Sequence, residues 1–75
     1  RLMMYPTLGR TIREERERME MSRAELARQV GVHPSQLTRW EAGDHKPSLT
    51  AMLALGKALD VDPVELMTAA AVDAR

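Results

Sequence analysis

Residues 33–39, HPSQLTR, bring an imidazole, two hydroxyls, a carboxamide and a guanidinium into one short stretch: His33, Ser35, Gln36, Thr38 and Arg39. Such groups donate and accept hydrogen bonds. Nothing beside them supplies bond-breaking chemistry. His33 and His45 are the only histidines, too few for a metal site, and a histidine-based catalytic pair would need a nucleophile and a pocket for which nothing in the sequence argues. There is no cysteine, which removes disulfides and thiolate ligands and suits a reducing compartment. No catalytic residue, metal or cofactor is expected, and the chain reads as a non-enzyme. The chemistry on offer is recognition. On a short helix these side chains are ordinarily just solvated, so their meaning depends on the elements that position them.

The chain has 75 residues and reads as one domain, 1–75, whose two ends, about 1–6 and 70–75, are the parts open to disorder. Eleven lysines and arginines balance eleven aspartates and glutamates, so any binding to a polyanion must rest on local charge. With no phenylalanine, one tryptophan, one tyrosine and six methionines, the core has to be built from Leu, Val, Ile, Ala and Met. No strand-like alternation and no two-residue hairpin signal occurs. The fold class that follows is all α. No apolar run approaches the length of a membrane span, and RLMMYPTL is too short for a signal peptide, so a soluble, cytoplasmic protein without membrane association is expected.

The helices can be placed from their punctuation. Thr7 can cap a first helix running to about Glu20, with Leu8, Ile12 and Met19 on its inner face and Arg16 between them. Its outer face, REERER, reads as solvated, with Arg10–Glu14, Arg13–Glu17, Glu14–Arg18 and Arg16–Glu20 spaced to pair. Ser22 and Glu25 form a capping-box pattern at the start of a second helix whose inner face is Leu26, Ala27 and Val30. Gly31 stops it, because glycine takes the left-handed conformation without steric cost. Pro34 restarts helix with its φ already set, His33 standing as cap. The third helix runs to about Ala42, burying Leu37 and Trp40, and Gly43 ends it.

Ser48 opens a fourth helix with Leu49, Met52, Leu53, Leu55 and Leu59 on its apolar side. Gly56 inside it suggests close packing rather than a stop. Asp62, Pro63 and Glu65 start a fifth helix anchored by Val64 and Leu66, and the final AAAVDAR either extends it or frays. The corner between helices two and three is therefore a helix, a tight glycine turn and a second helix. That unit can place its second helix in the major groove of DNA. Ala27, Gly31 and Leu37 fit its packing needs: a small residue at the crossing, a glycine at the turn, an aliphatic lock.

Over residues 8–67, MSRAELARQVGVHPSQLTRWEAGDHKPSLTAMLALGKALDVDPVEL and its preceding helix resemble the lambda-repressor-like family of helix-turn-helix DNA-binding domains, the Cro/C1 or Xre type. LA with VGV, TRWEAG, PSL and ALDV carry the resemblance together. It implies a compact five-helix bundle that binds double-stranded operator DNA as a homodimer and regulates transcription, commonly as a repressor, in bacteria or phages. Position by position it implies base contacts from Pro34, Ser35, Gln36, Thr38 and Arg39: adenine for the Gln36 amide, a guanine edge or phosphate for Arg39, a base or phosphate for Ser35, and only a thymine methyl for Pro34. It implies backbone contacts from Arg23, His33, His45 and Lys46, and a structural salt bridge between Arg16 and Glu41. The chain departs from the family at His33, Pro34 and Gly56, where serine or threonine, glutamine, and alanine are usual.

Residues 22–46 hold Arg23, Arg28, Arg39 and Lys46 against Glu25, Glu41 and Asp44, a modest local excess. Two copies would double the phosphate contacts. The end of the fifth helix, near Val64 to Ala71, is expected to supply much of the dimer surface, being alanine-rich with few charges. Two other function classes fit the same residues. One is an antitoxin or controller protein, whose partner would be a protein such as a toxin and which a toxin or methyltransferase gene alongside would reveal. The other is a protein-binding domain on the same scaffold.

Overall fold

Residues 4–75 are described by the computed structural model. Five helices, α1 (Pro6–Arg18), α2 (Arg23–Val30), α3 (Pro34–Glu41), α4 (Leu49–Leu59) and α5 (Pro63–Asp73), form an all-α bundle, with no strand among the described residues. The expectation of disorder at the first end falls partly on residues 1–3, outside the described residues. At the other end, α5 continues through Asp73.

Helix α1 begins without the expected Thr7 cap. Pro6 takes its first turn, where a missing N–H costs nothing, and Tyr5 stands at the N-cap with no side-chain hydrogen bond. The amides of Thr7 and Leu8 donate instead to Asp73 Oδ1 and Oδ2, each at 2.9 Å. A carboxylate from the opposite end of the chain thus caps the positive end of α1. Burial draws the Asp73 carboxyl upward, but the Leu8 and Thr7 amides outweigh it and hold the group below its ordinary value. Its contribution is therefore present above the unfolded value of about 3.9 and is lost as the pH falls through the lower native value. Asp73→Ala should lower the thermal midpoint at neutral pH, by the equivalent of about 1 kcal/mol for a lost cap. In acid melts the gap to the wild type should close; a gap undiminished below about pH 2 would mean the carboxylate charge is not what stabilises α1.

The far end of α1 also differs from expectation. The helix stops at Arg18, and Glu20 takes a left-handed φ of 57°. Met19, expected on the inner face, is 37% exposed because it lies past the last helical residue. The expected pairs four residues apart do not form. Arg16 turns into the protein, and Arg18 donates to Glu15 three residues back at 2.7 Å and to the Leu59 carbonyl at 3.2 Å.

Other boundaries follow their local signals. Ser22 Oγ accepts the Glu25 amide at 3.1 Å, while the Glu25 carboxylate bonds Arg28 and Gln29 rather than closing the box back to Ser22. Gly31 closes α2 at φ 84° and Gly43 follows α3 at φ 81°, both left-handed. Ser48 Oγ accepts the Ala51 amide at 3.1 Å, and Asp62 Oδ1 accepts the Val64 amide at 2.9 Å behind Pro63.

Helix α1 packs on α3 and α5, α2 on α3 and α4, and α4 on α5. Leu8, Ile12, Leu26, Leu37, Leu55, Leu59 and Leu66 are fully buried at their meeting point, joined by Ala27, Trp40, Met52 and Ala69. The indole N–H of Trp40 lies in this core without a hydrogen-bond partner among the described residues. Besides Met19, three residues expected to point inward do not: Leu49, Leu53 and Val64 are 62%, 51% and 57% exposed. Helix α4 is apolar around much of its circumference, so its neighbours α2 and α5 choose the covered strip, and they cover Met52, Leu55, Gly56 and Leu59. Gly56 is there for closeness, since a Cβ at this position would lie 2.9 Å from the Val61 carbonyl oxygen.

Candidate nucleic-acid interface

Helix α3 is short, and its two sides are unlike. Leu37, Trp40 and Glu41 are buried against α1 and α2, which turns Pro34, Ser35, Thr38 and Arg39 outward at one-turn spacings. Gln36 is half-buried on the flank of that face. The predicted base-contacting residues are therefore together, with Ser35 and Arg39 near the centre of the outward side.

Its first turn is set by His33. The ring Nδ1 accepts the Ser35 amide at 3.1 Å and lies 2.8 Å from Ser35 Oγ. A nitrogen that accepts an amide N–H carries no proton, so the Ser35 hydroxyl donates to it as well and the ring proton sits on Nε2. The Thr38 hydroxyl likewise donates to the Pro34 carbonyl at 3.1 Å. Both hydroxyls are thus engaged locally in the free protein, and each oxygen keeps acceptor capacity for an amine on adenine or cytosine. His33 Nε2–H and the Arg39 guanidinium are the outward donors of this segment; the Arg39 carbonyl accepts the Asp44 amide at 3.0 Å, but its guanidinium makes no hydrogen bond or ion pair among the described residues.

Behind α3 lies a charged cluster. Arg16 donates through Nε to Glu41 Oε2 at 2.6 Å, through Nη2 to Oε1 at 3.1 Å, and through Nη1 to the Met21 carbonyl at 2.8 Å. The Glu41 hydrogen bond holds the Arg16 guanidinium above the ordinary arginine value against the opposing effect of burial. This pair fastens α1 to the end of α3. Arg23, the first residue of α2, also donates to Glu41 Oε1, from Nε at 3.0 Å, with its side chain 52% exposed.

His45 and Lys46 are exposed on the loop between α3 and α4, tethered by the buried Pro47 and by the Tyr5 amide bond to the Gly43 carbonyl at 2.9 Å. The Lys46 ammonium lies 6.0 Å from the centroid of the Tyr5 ring, at the outer limit of a cation–π contact. Arg28 is paired with Glu25 on its own helix, and Glu41 is neutralised from behind by Arg16, so Arg23, Arg39 and Lys46 stand against Asp44 alone in the local charge balance. Among the described residues no group of acidic, histidine or cysteine side chains could hold a metal, and no helix is long and apolar enough to cross a membrane.

Two contributors to this arrangement were not singled out in the sequence. Gly9 lets α1 lie directly on the end of α3, and its place inside a helix was the available signal. Asp73 had none, since its partners lie 66 and 65 residues away.

A helix, a left-handed glycine turn and a second helix presenting a polar face from an all-α bundle define the helix-turn-helix class. The family model described as helix-turn-helix matches residues 12–66. The chain belongs to this family, in its lambda-repressor-like, Cro/C1 form. It is 33% identical over 60 residues, 80% of its length, to repressor protein C2 of Salmonella phage P22, and it spans 28% of that repressor. Its fold matches the restriction-modification controller protein C.AhdI from Aeromonas hydrophila with a TM-score of 0.79 and 34% identity, over 83% of this chain and 94% of that one. The DNA-binding domain of the P22 C2 repressor matches with a TM-score of 0.79 and 32% identity, over 84% and 83% of the two chains. The clp gene regulator ClgR from C. glutamicum shares the fold at a TM-score of 0.79, with 23% identity over 100% of this chain and 97% of that one. The family is one of DNA-binding regulators of the repressor and controller type, not of enzymes.

Proposed function

We propose that the chain reads double-stranded DNA by sequence, as a homodimer on a palindromic operator, and so regulates transcription, with α3 as the recognition helix. The observation that carries this reading is the two-sidedness of α3: Leu37, Trp40 and Glu41 inward, Pro34, Ser35, Thr38 and Arg39 outward. Arg39 fits a guanine edge and Gln36 an adenine, Ser35 and Thr38 offer acceptors to exposed base amines, and Pro34 offers a thymine methyl an apolar contact. Arg23, His33, His45 and Lys46 fit the phosphate backbone.

A pair of copies is part of the reading for a geometric reason. The longest extent of the domain is 30 Å, whereas two recognition helices reading half-sites one turn apart stand about 34 Å from each other. Exposed Leu49, Leu53 and Val64 join the apolar end of α5 as surface suited to pairing. Likeness to a restriction-modification controller protein favours a second reading, operator control within such a system, which a methyltransferase gene alongside would support.

Selection of the purified chain on a random duplex pool at near-physiological salt should enrich a palindrome with half-sites about one turn apart. Gln36→Ala and Arg39→Ala should each weaken binding to it by about 1–3 kcal/mol per lost base contact and relax the preference at one position of each half-site. Weak binding without enrichment, vanishing as salt rises, would shift the function to a protein partner.

A further inference from the structure

We propose that Glu41 is a positioning residue for DNA binding: it holds the Arg23 guanidinium by Nε so that the terminal nitrogens are presented, already oriented, to a backbone phosphate. This rests on the reading of Arg23 as a backbone contact, and extends the role of Glu41 beyond its bridge to Arg16.

Three observations carry it. Glu41 has a side chain only 3% exposed and takes two cations of different kind, Arg16 at 9% and Arg23 at 52% exposure. Arg16 alone neutralises the carboxylate and satisfies both of its oxygens. The charge on Arg23 is therefore surplus to the structure, and it sits at the first residue of α2, a helix end where a cation is disfavoured. The bond to Glu41 also uses only the Nε–H of Arg23, and its terminal nitrogens have no hydrogen-bond partner among the described residues. A guanidinium fixed at Nε keeps a planar pair of donors whose spacing matches two phosphate oxygens. Fixing that plane in the free protein removes an ordering cost otherwise met on binding.

The side chain that separates charge from orientation is lysine. It keeps the positive charge but has no Nε–H beside a fork, so it cannot be held by Glu41 while facing a phosphate. Affinity of the full chain for its selected duplex, the salt dependence of that affinity, and thermal midpoints should be measured for wild type, Arg23→Ala, Arg23→Lys and Glu41→Gln. Arg23→Ala and Arg23→Lys should both weaken binding about tenfold, with midpoints near wild type, but only Arg23→Ala should flatten the log–log salt slope, by about one per subunit, because lysine keeps the charge. Glu41→Gln should weaken binding alone but add little on top of Arg23→Ala; should it not fold, Arg23→Lys still decides. Wild-type affinity in Arg23→Lys would overturn the proposal by showing that charge suffices. Wild-type affinity in Arg23→Ala would overturn it by removing the phosphate contact. A wild-type protein that selects no duplex would instead bring down the DNA reading itself.

Discussion

Glu41→Ala should leave the domain unfolded, or folded only at low temperature. The substitution removes the acceptor of two Arg16 hydrogen bonds and one from Arg23. Arg23 can turn to water, but Arg16, with 9% of its side chain exposed, cannot. A buried charge left without its partner costs about 3–5 kcal/mol. Small domains hold only about 5–10 kcal/mol in total, and each kcal/mol moves the midpoint of a domain this size by about 4–8 °C. A fall of about 20 °C or complete unfolding is expected in thermal and urea melts. The paired replacement Arg16→Met with Glu41→Leu should recover most of the loss, because an apolar pair carries no desolvation penalty. A loss in Glu41→Ala below about 1 kcal/mol, the size of a surface ion pair, would show that water reaches Arg16 and that the bridge does not lock α1 to α3.

That bridge shows which parts of the fold were open to sequence reasoning. Signals that act within one turn were legible: Ser22, Gly31, His33, Ser48 and Asp62 mark helix ends through bonds to residues two to four positions away, Pro34 and Pro63 by a φ already helical, and the chain uses them so. Helix-surface pairing was not, because such pairs are worth only about 0.2–0.5 kcal/mol each and yield to any stronger partner. Arg16 has Glu41, and Arg18 has Glu15 together with the Leu59 carbonyl. The inward side of α4 was only half legible. Its period admits Leu49 and Leu53 as readily as Met52 and Leu55, and position against α2 and α5 decides between them. Of the candidate interface, the polar face of α3 followed from the spacing of Leu37 and Trp40. The bond from Arg23 to Glu41 and the Asp73 cap are tertiary and leave no local trace.

Gly9→Ala is expected to destabilise the domain although its chemistry ordinarily stabilises a helix. Alanine inside a helix gains about 0.8–1 kcal/mol over glycine, and Gly9 lies within α1, outside the residues of left-handed φ. The obstacle is what faces it. A Cβ there would lie 2.6 Å from the Glu41 carbonyl oxygen and 2.7 Å from that of Trp40, closer than packed Cβ atoms come. Both are backbone atoms and cannot swing aside as a side chain would. Relief requires α1 to withdraw from α3, which stretches the Arg16–Glu41 bridge and loosens Leu8 and Ile12 in the core. Overpacking against a rigid neighbour costs about 1–3 kcal/mol and the strained bridge adds to it, so after the helix gain of about 1 kcal/mol a net loss of about 2 kcal/mol is expected. Gly31→Ala is the useful comparison, since its Cβ would meet no atom within 4 Å and only the φ of 84° opposes it. That conformational cost is about 1–2 kcal/mol. Thermal melts should therefore rank Gly9→Ala at or below Gly31→Ala, the reverse of their order by local geometry alone. A Gly9→Ala variant as stable as wild type would mean that α1 and α3 do not meet at backbone distance, and the Arg16–Glu41–Arg23 cluster that depends on their spacing would fall with it.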